Sequence, residues 1–368
     1  MALAIRLARK GLYSTQPNPR VGCVIAQGEE VIATGWHERA GEAHAEVMAL
    51  TQAGERARGA VAYVTLEPCS HFGRTGPCAD ALIAAGVVKV VVAMQDPNPQ
   101  VGGSGLKKLI EAGIAVELGL LEEDARSLNE GFFQRMSKGL PLVTIKLAMS
   151  LDGRTAMASG ESKWITAPPA RHDVQKLRAR SSAILTAVET VKHDDPALTV
   201  REDELRLEMG QLGISQQPLR VVLDRDAQLN VTEKVFSNTA EVIYFVAQTA
   251  TPAQCIEQAS HIKIVKLKLQ EDGRFRLQQV LELLAEHGVN ELLVEAGAGL
   301  AGSFVQQSCV DRLMVYIAPK LMGDSARGLF ELPYTQMAQS QELKLEDMRM
   351  VGDDVRLSYV VADSKTKA

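Results

Sequence analysis

Three consecutive stretches decide the fold class: Ala60-Val-Ala-Tyr-Val-Thr-Leu66, Cys78-Ala-Asp-Ala-Leu-Ile-Ala-Ala-Gly86 and Val87-Val-Lys-Val-Val-Val-Ala-Met94. The first reads as a strand and the second as a short helix closed by a glycine. The third is a continuous apolar strand, of the kind buried on both faces. Strand, helix and strand make a βαβ unit, which predicts an α/β fold with a largely parallel sheet. Working outward, 21–27 and 31–35 read as strands around a Gly28-Glu-Glu30 turn, and 44–54 as a helix. A helix over 106–113 and a strand over 114–118 continue the alternation. A helix over 122–134 then runs into the polar, punctuated stretch 135–141, which marks a boundary. The chain is therefore expected to divide into domains 1–140 and 141–368. In the second, strands are predicted at 142–149, 183–186, 220–224, 242–247, 262–268, 291–296, 312–318 and 355–361. Helices are predicted at 168–180, with prolines in the first turn, and at 277–288. The polar stretch 201–217 reads as a helix or loop insertion.

Composition narrows the function classes. The 368 residues carry 40 Lys+Arg against 45 Asp+Glu, a net charge of −5, which argues against a basic nucleic-acid-binding surface. With 46% hydrophobic and 23% charged residues, the chain has a globular balance, and global disorder is excluded. Its apolar runs, 87–88 and 90–94, are too short for a bilayer span, so no membrane role is expected. The first ten residues mix basic and apolar side chains and read as an amphipathic helix of a cytoplasmic protein, not a secretory signal. Five cysteines in a chain of this length make no disulfide framework.

Two of those cysteines belong to the strongest chemical signal. His44-Ala-Glu46 is followed by Pro68-Cys69 and, after eight intervening residues, Cys78. One His and two Cys offer three ligands that suit zinc and leave the fourth tetrahedral position for water, as catalytic sites do. Glu46 lies two residues from His44 at a helix start, on a different face, where it can reach a water without ligating. Cys78 opens a helix, whose N-terminal dipole favours a thiolate. This is the donor logic of zinc deaminases, with signature H-x-E…P-C-x-x-C, except that eight residues rather than two separate the cysteines. Any one of these residues alone is compatible with ordinary packing; the four in this context are not.

The longer cysteine loop, Pro68-Cys-Ser-His-Phe-Gly-Arg-Thr-Gly-Pro-Cys78, resembles the deaminase half of the bifunctional riboflavin-biosynthesis deaminase–reductase family. So do Pro17-Asn-Pro-Arg-Val-Gly-Cys-Val-Ile25, Arg39-Ala-Gly-Glu-Ala-His-Ala-Glu46 and Met94-Gln-Asp-Pro-Asn-Pro99. The second half is similar to the reductase of that family at Lys146-Leu-Ala-Met-Ser-Leu-Asp-Gly-Arg-Thr-Ala156 and Gly160-Glu-Ser-Lys-Trp-Ile-Thr166. Asp194-Asp-Pro-Ala-Leu-Thr-Val200 and Val294-Glu-Ala-Gly-Ala-Gly299 agree as well. Against the family's pattern the chain starts a few residues late. The resemblance implies an N-terminal cytidine-deaminase-like α/β/α domain and a C-terminal dihydrofolate-reductase-like α/β domain. It implies zinc-dependent loss of ammonia from 2,5-diamino-6-(5-phosphoribosylamino)pyrimidin-4(3H)-one, then NADPH reduction of the product's ribosyl group to ribityl. The expected cofactors are Zn2+ and NADPH; the expected partner is a phosphorylated pyrimidine, and a homo-oligomer is part of the same expectation.

The roles follow residue by residue from that resemblance. His44, Cys69 and Cys78 hold zinc, and Glu46 shuttles the proton. Asn18, His37, His71 and Arg74 match the family's pyrimidine pocket, and Arg74 suits a phosphate because a guanidinium fork fits its oxygens. In the second half, Ala148, Trp164, Thr190 and Asp194 match NADPH contacts, and Ser162, Arg178, Leu198, Arg201 and Glu295 match substrate contacts. Gly297-Ala298-Gly299-Leu300-Ala301-Gly302-Ser303 follows a predicted strand and fits G-x-G-x-x-G. A Rossmann reading wants an acidic residue about 20 positions on, closing the next strand. Asp311 opens a strand instead, so that fold is rejected. What remains is a glycine-rich helix start able to meet cofactor phosphates. Glu295 and Asp194 are both candidates for the acid of the reduction. The competing readings are a nucleic-acid or nucleoside zinc deaminase with an unrelated accessory domain, and a zinc-stabilised interaction protein. Net charge and an open metal site argue against them.

Overall fold

Five strands make the first sheet: β1 (Gly22–Gln27), β2 (Glu30–Trp36), β3 (Val61–Val64), β4 (Lys89–Val92) and β5 (Ala115–Leu118), in the order β2-β1-β3-β4-β5. The computed structural model describes residues 1–72, 76–98, 101–237 and 240–362. The pairings β3–β4 and β4–β5 are parallel, as a βαβ unit requires. β1 is antiparallel to both β2 and β3, so the sheet is mixed rather than largely parallel. The reason is local: Gly28, at φ 58°, turns β1 straight back into β2, and no crossover helix separates them. Around the sheet lie α1 (Ala2–Ala8), α2 (Ala45–Ala53), α3 (Cys78–Ala85), α4 (Ser104–Glu111), α5 (Glu122–Leu128) and α6 (Glu130–Lys138).

The core of this unit is built from Ile25, Val64, Val90 and Val92 on the sheet and Ala49, Leu82 and Leu109 on the helices, all buried. Each large aliphatic chain taken from water contributes about 1.5–3 kcal/mol. Helix α2 lies hard against β2: a Cβ on Gly35 would fall 2.2 Å from the Ala45 carbonyl oxygen and 2.6 Å from the Ala49 nitrogen. The absence of a side chain there lets the strand seat the helix that starts at His44.

The single helix expected over 122–134 is two, α5 and α6, broken at Asn129. Asn129 is fully buried and spends its side chain on a distant backbone. Its Oδ1 accepts the Arg20 N–H at 2.8 Å and its Nδ2 donates to the Arg20 carbonyl at 2.9 Å.

Nine strands make the second sheet. They are β6 (Leu142–Ser150), β8 (Ala183–Ala187), β9 (Leu219–Leu223), β10 (Val242–Ala247), β11 (Ile262–Leu267), β12 (Glu291–Val294), β13 (Arg312–Ala318), β15 (Leu343–Val351) and β16 (Asp354–Val361). The short pair β7 (Arg154–Ala156) and β14 (Arg327–Gly328) stands apart. The order is β11-β10-β9-β8-β12-β6-β13-β16-β15. The first seven are mutually parallel; β16 and β15 add antiparallel. Helices α7 (Pro168–Arg180), α8 (Val188–Asp194), α9 (Gln254–Glu257), α10 (Leu277–Glu286) and α11 (Ala298–Gln306) connect them. The edge strand β15 was not among the predicted elements.

The two compact units are Met1–Leu140 with Leu207–Gln216, and Pro141–Arg206 with Gln217–Ala368. The segment Leu207–Gln216, assigned to the second domain by a division at 140, belongs to the first unit. Within the stretch 201–217 the helical part is one 3-10 turn, Glu202–Glu204, and the rest is loop. Among the described residues no helix is long and apolar enough to cross a membrane.

Candidate active site

His44 is the N-cap residue of α2, in extended conformation, and Cys78 is the first residue of α3. Cys69 lies beyond the end of β3. The helix starts and the strand end bring Nδ1 of His44 and the two Sγ atoms within 4.8 Å of one another. Nδ1 of His44 is 3.2 Å from Cys78 Sγ and 3.6 Å from Cys69 Sγ, and the Cys78 backbone N–H donates to Cys69 Sγ at 3.3 Å. The Cys69 thiol is pulled well below the usual thiol range, first by its hydrogen bond with Cys78 and then, against burial, by His44. One imidazole and two cysteine sulfurs at this separation fit zinc, and a fourth protein donor is lacking among the described residues.

Glu46 is 3% exposed. Burial pushes its carboxyl up to about 7, beyond what its backbone hydrogen bond and His44 pull back. A carboxyl poised there can take and release a proton near neutral pH.

A cavity of about 740 Å³ opens beside these groups, lined by His44, Glu46 and Cys69 and also by Asn18, His37 and His71. His37 is held in one orientation: Nδ1 meets the Ala43 carbonyl at 3.1 Å, leaving Nε2 to face Asn18 Nδ2 at 3.1 Å. A donor role at Nδ1 makes Nε2 the acceptor, so Asn18 donates through its amide. Burial pulls His37 below the ordinary imidazole range, which favours that neutral form. Arg74 lies outside the described residues. The cavity wall also holds residues that the sequence reading passed over: Asp96, Asn98 and Arg135. Phe132, Arg135 and Met136 reach it from α6 at i, i+3 and i+4, one helix face. Arg135 is the only Arg or Lys among the described lining residues.

In the second unit, the carboxyl ends of β8, β12 and β6, neighbours in the sheet, feed the segments that carry most of the expected reductase residues. Crevices at such strand ends are where open parallel sheets take ligands. Glu295 follows β12 and is gripped by Arg178 of α7 through two hydrogen bonds, 2.6 and 3.0 Å. Arg178 also donates to the Thr199 carbonyl at 3.0 Å, which brings the Leu198 and Arg201 segment to the same place. Burial alone would raise the Glu295 carboxyl; Arg178, with Lys146 and Arg201, overrides it and holds it below the usual carboxylate range. Lys146 of β6, not singled out from the sequence, faces this pair, and burial pulls its amine down against Glu295. Leu198 is buried in the core, and Arg201 is exposed and paired with Glu204 at 2.8 Å.

A second group joins Ser162 Oγ to Asp194 Oδ1 at 3.5 Å, with Lys163 Nζ 3.7 Å from the same carboxylate oxygen. Trp164 is 64% exposed with the Arg171 guanidinium stacked 4.5 Å from its ring centre, so it is not a core tryptophan. Thr190 is half-buried on α8, and Ala148 packs against Ala170, Val174 and Tyr316. Gly297 is the N-cap of α11, whose first turn comprises Ala298, Gly299, Leu300 and Ala301, followed by Gly302 and Ser303. No side chain caps this helix start; Ala301 N–H already donates to the Gly297 carbonyl at 3.1 Å, which leaves the amides of Ala298, Gly299 and Leu300 without an intrahelical acceptor. That fits a cofactor phosphate.

Residues 1–94 match the cytidine and deoxycytidylate deaminase zinc-binding region, and residues 141–357 match the RibD C-terminal domain. The riboflavin biosynthesis protein RibD of Haemophilus influenzae is 49% identical over 364 residues, 98% of this chain and 96% of that protein. The chain belongs to the RibD family. RibD of Escherichia coli K12 is 49% identical over 98% of both chains. Among solved structures, Acinetobacter baumannii RibD superposes with TM-score 0.91 at 45% identity, covering 98% of each chain. The deaminase/reductase of Thermotoga maritima gives 0.84 at 33% identity, over 98% of this chain and 97% of that one. These RibD structures bear out the expected fold class: a cytidine-deaminase-like first part and a dihydrofolate-reductase-like second part.

Proposed function

We infer that this chain performs two consecutive steps of riboflavin biosynthesis. It removes ammonia hydrolytically from 2,5-diamino-6-(5-phosphoribosylamino)pyrimidin-4(3H)-one with zinc as cofactor. It then reduces the ribosyl group of 5-amino-6-(5-phosphoribosylamino)uracil to ribityl with NADPH. The observation that carries this reading is the His44, Cys69 and Cys78 cluster beside buried Glu46, in a chain related end to end to RibD proteins.

For deamination, His44, Cys69 and Cys78 are the residues we assign to zinc. Held there, the ion would polarise a water and lower its pKa toward neutrality. Glu46 is placed to take a proton from the attacking water and return it to the departing amine. Asn18 and His37 orient the pyrimidine through their linked amide and imidazole. His71 lines the same pocket. Arg74 and Arg135 are the candidates for the substrate phosphate.

For reduction, the α11 start with residues 297–303, together with Ala148, Trp164, Thr190 and Asp194, is assigned to NADPH. Ser162, Arg178, Leu198, Arg201 and Glu295 are assigned to the substrate. Glu295, held as a carboxylate by Arg178, is suited to orienting rather than donating a proton. The proposal divides the chain into a deaminase domain over 1–140 and a reductase domain over 141–368, with Leu207–Gln216 serving the first. It includes a homo-oligomer and a cytoplasmic location, the latter supported by five cysteines that are all free.

The test gives purified protein the diaminopyrimidine ribotide first without and then with NADPH. Ammonia is expected in both reactions, and NADPH oxidation only once deaminated product has formed. Zinc-loaded protein that releases no ammonia overturns the reading.

A further inference from the structure

Glu67 sits two residues before Cys69, is 4% exposed, and is not one of the clustered metal donors. Both its carboxylate oxygens are occupied by backbone. Oε2 accepts the N–H of Asp96 at 3.2 Å and of Gly103 at 2.9 Å. Oε1 accepts the N–H of Gly105 at 2.8 Å and of Leu106 at 3.3 Å. Three of these donors belong to the N-cap and first turn of α4, which has no cap from its own side chains. An anion at a helix start is stabilised by the free amides and the dipole together. The fourth donor, Asp96, belongs to the cavity wall with Asn98 and Val101.

The approach is as close as the chain allows. A Cβ on Gly105 would fall 2.0 Å from the Pro68 carbonyl oxygen, so α4 is pressed onto the peptide that leads into Cys69. Ser70 Oγ and Ser104 Oγ add a side-chain link at 2.7 Å. On one side of Glu67, therefore, lies a metal-donor cysteine, and on the other a pocket wall, with a single carboxylate joining them.

We propose that Glu67 is a positioning residue for deamination: it fixes Asp96, on the wall of the substrate pocket, and the α4 start at Gly103, Gly105 and Leu106 against the turn that carries Cys69. The proposal rests on the deaminase reading. Glu67 itself borders the cavity, but both its oxygens are taken up by backbone N–H groups, so it acts by setting where Asp96 and Asn98 stand relative to the reacting centre. An amide in its place turns one donor group toward backbone N–H groups and removes the charge from all four hydrogen bonds.

The experiment is Glu67→Gln in the full chain, with zinc content, steady-state deamination, NADPH reduction of the deaminated product and amide exchange measured together. We expect zinc and reduction at wild-type levels, faster exchange at Asp96, Gly103 and Gly105, and KM for the ribotide raised about tenfold, with kcat changed less. Glu67→Asp, which keeps the charge but shortens the reach, should fall between the two and carries the same test if the Gln variant does not fold. Wild-type KM in either variant, or equal loss of zinc, deamination and reduction in both, overturns the proposal. If wild-type protein releases no ammonia, the deaminase reading has failed instead. The exchange rates then still report whether Glu67 anchors the wall.

Discussion

Glu46 and Glu295 pose opposite questions with the same substitution. Glu46→Gln keeps the shape and removes the carboxylate we assign as the base, so ammonia release should fall by about 10²–10⁴-fold or more, with zinc content unchanged by metal analysis. Glu295→Gln leaves the Arg178 guanidinium without its bidentate partner in a mostly buried place. NADPH oxidation with the deaminated substrate should collapse while ammonia release stays at the wild-type rate. Variants that lose both activities equally would speak for misfolding and against these separate roles. The metal cluster was legible in the sequence because His, Cys and Cys are few and chemically restrictive. Asp96 and Asn98 stand within a quoted motif but were not read as site residues, and Glu67 was not singled out, because an Asp-Pro-Asn run signals a turn and a carboxylate before Pro-Cys signals nothing by itself. Only the fold shows where their side chains are spent.

At the level of elements, Asp152 ties the turn after β6 to the segment after β13. Its carboxylate accepts hydrogen bonds from Ser150 Oγ and from the backbone N–H groups of Met322 and Gly323. These, led by the Ser150 hydroxyl, hold its carboxyl down at about 2, below its ordinary 3.8. The folded pKa is depressed, so the stabilisation is complete above about pH 4 and is lost as pH falls through about 2. Asp152→Asn lacks it at every pH. The melting temperatures of wild type and Asp152→Asn should therefore differ most near neutrality and converge as the pH is lowered toward about 2. A gap that stays constant down to that pH would contradict the account.

Two features that escaped the sequence did so for different reasons. β15 alternates Leu343, Leu345 and then Met348, Met350, with its register shifted by a bulge between Leu345 and Asp347. That shift breaks the period of two by which a strand is recognised. The α5–α6 break at Asn129 depends on Arg20, more than a hundred positions away, and no local pattern carries that information. By contrast, β10 was legible to the residue because it is a continuous apolar run with a parallel neighbour on each side.

For the whole molecule, the informative feature is the composition of the first unit. Leu207–Gln216 belongs to it although both flanking segments belong to the second. The Leu212 N–H donates to the Lys10 carbonyl at 3.4 Å, and Ser215 and Gln216 line the cavity beside Glu46. Replacing residues 211–216 by a Gly/Ser run of the same length should raise KM for the ribotide severalfold and leave reduction of the deaminated product untouched. Unchanged deamination kinetics would show that the segment is only a cover.

The threading of that segment has a consequence for cutting the protein apart. A polypeptide ending at Leu140 retains His44, Glu46, Cys69 and Cys78, so it still has everything needed to load metal. It lacks the two side chains that a later stretch of the chain sends back to the cavity. Metal uptake and substrate handling would then part company, and a zinc-replete fragment would be a poor deaminase. Scission at a single point cannot yield two whole enzymes from this chain: one piece always carries off a strip of the other's wall.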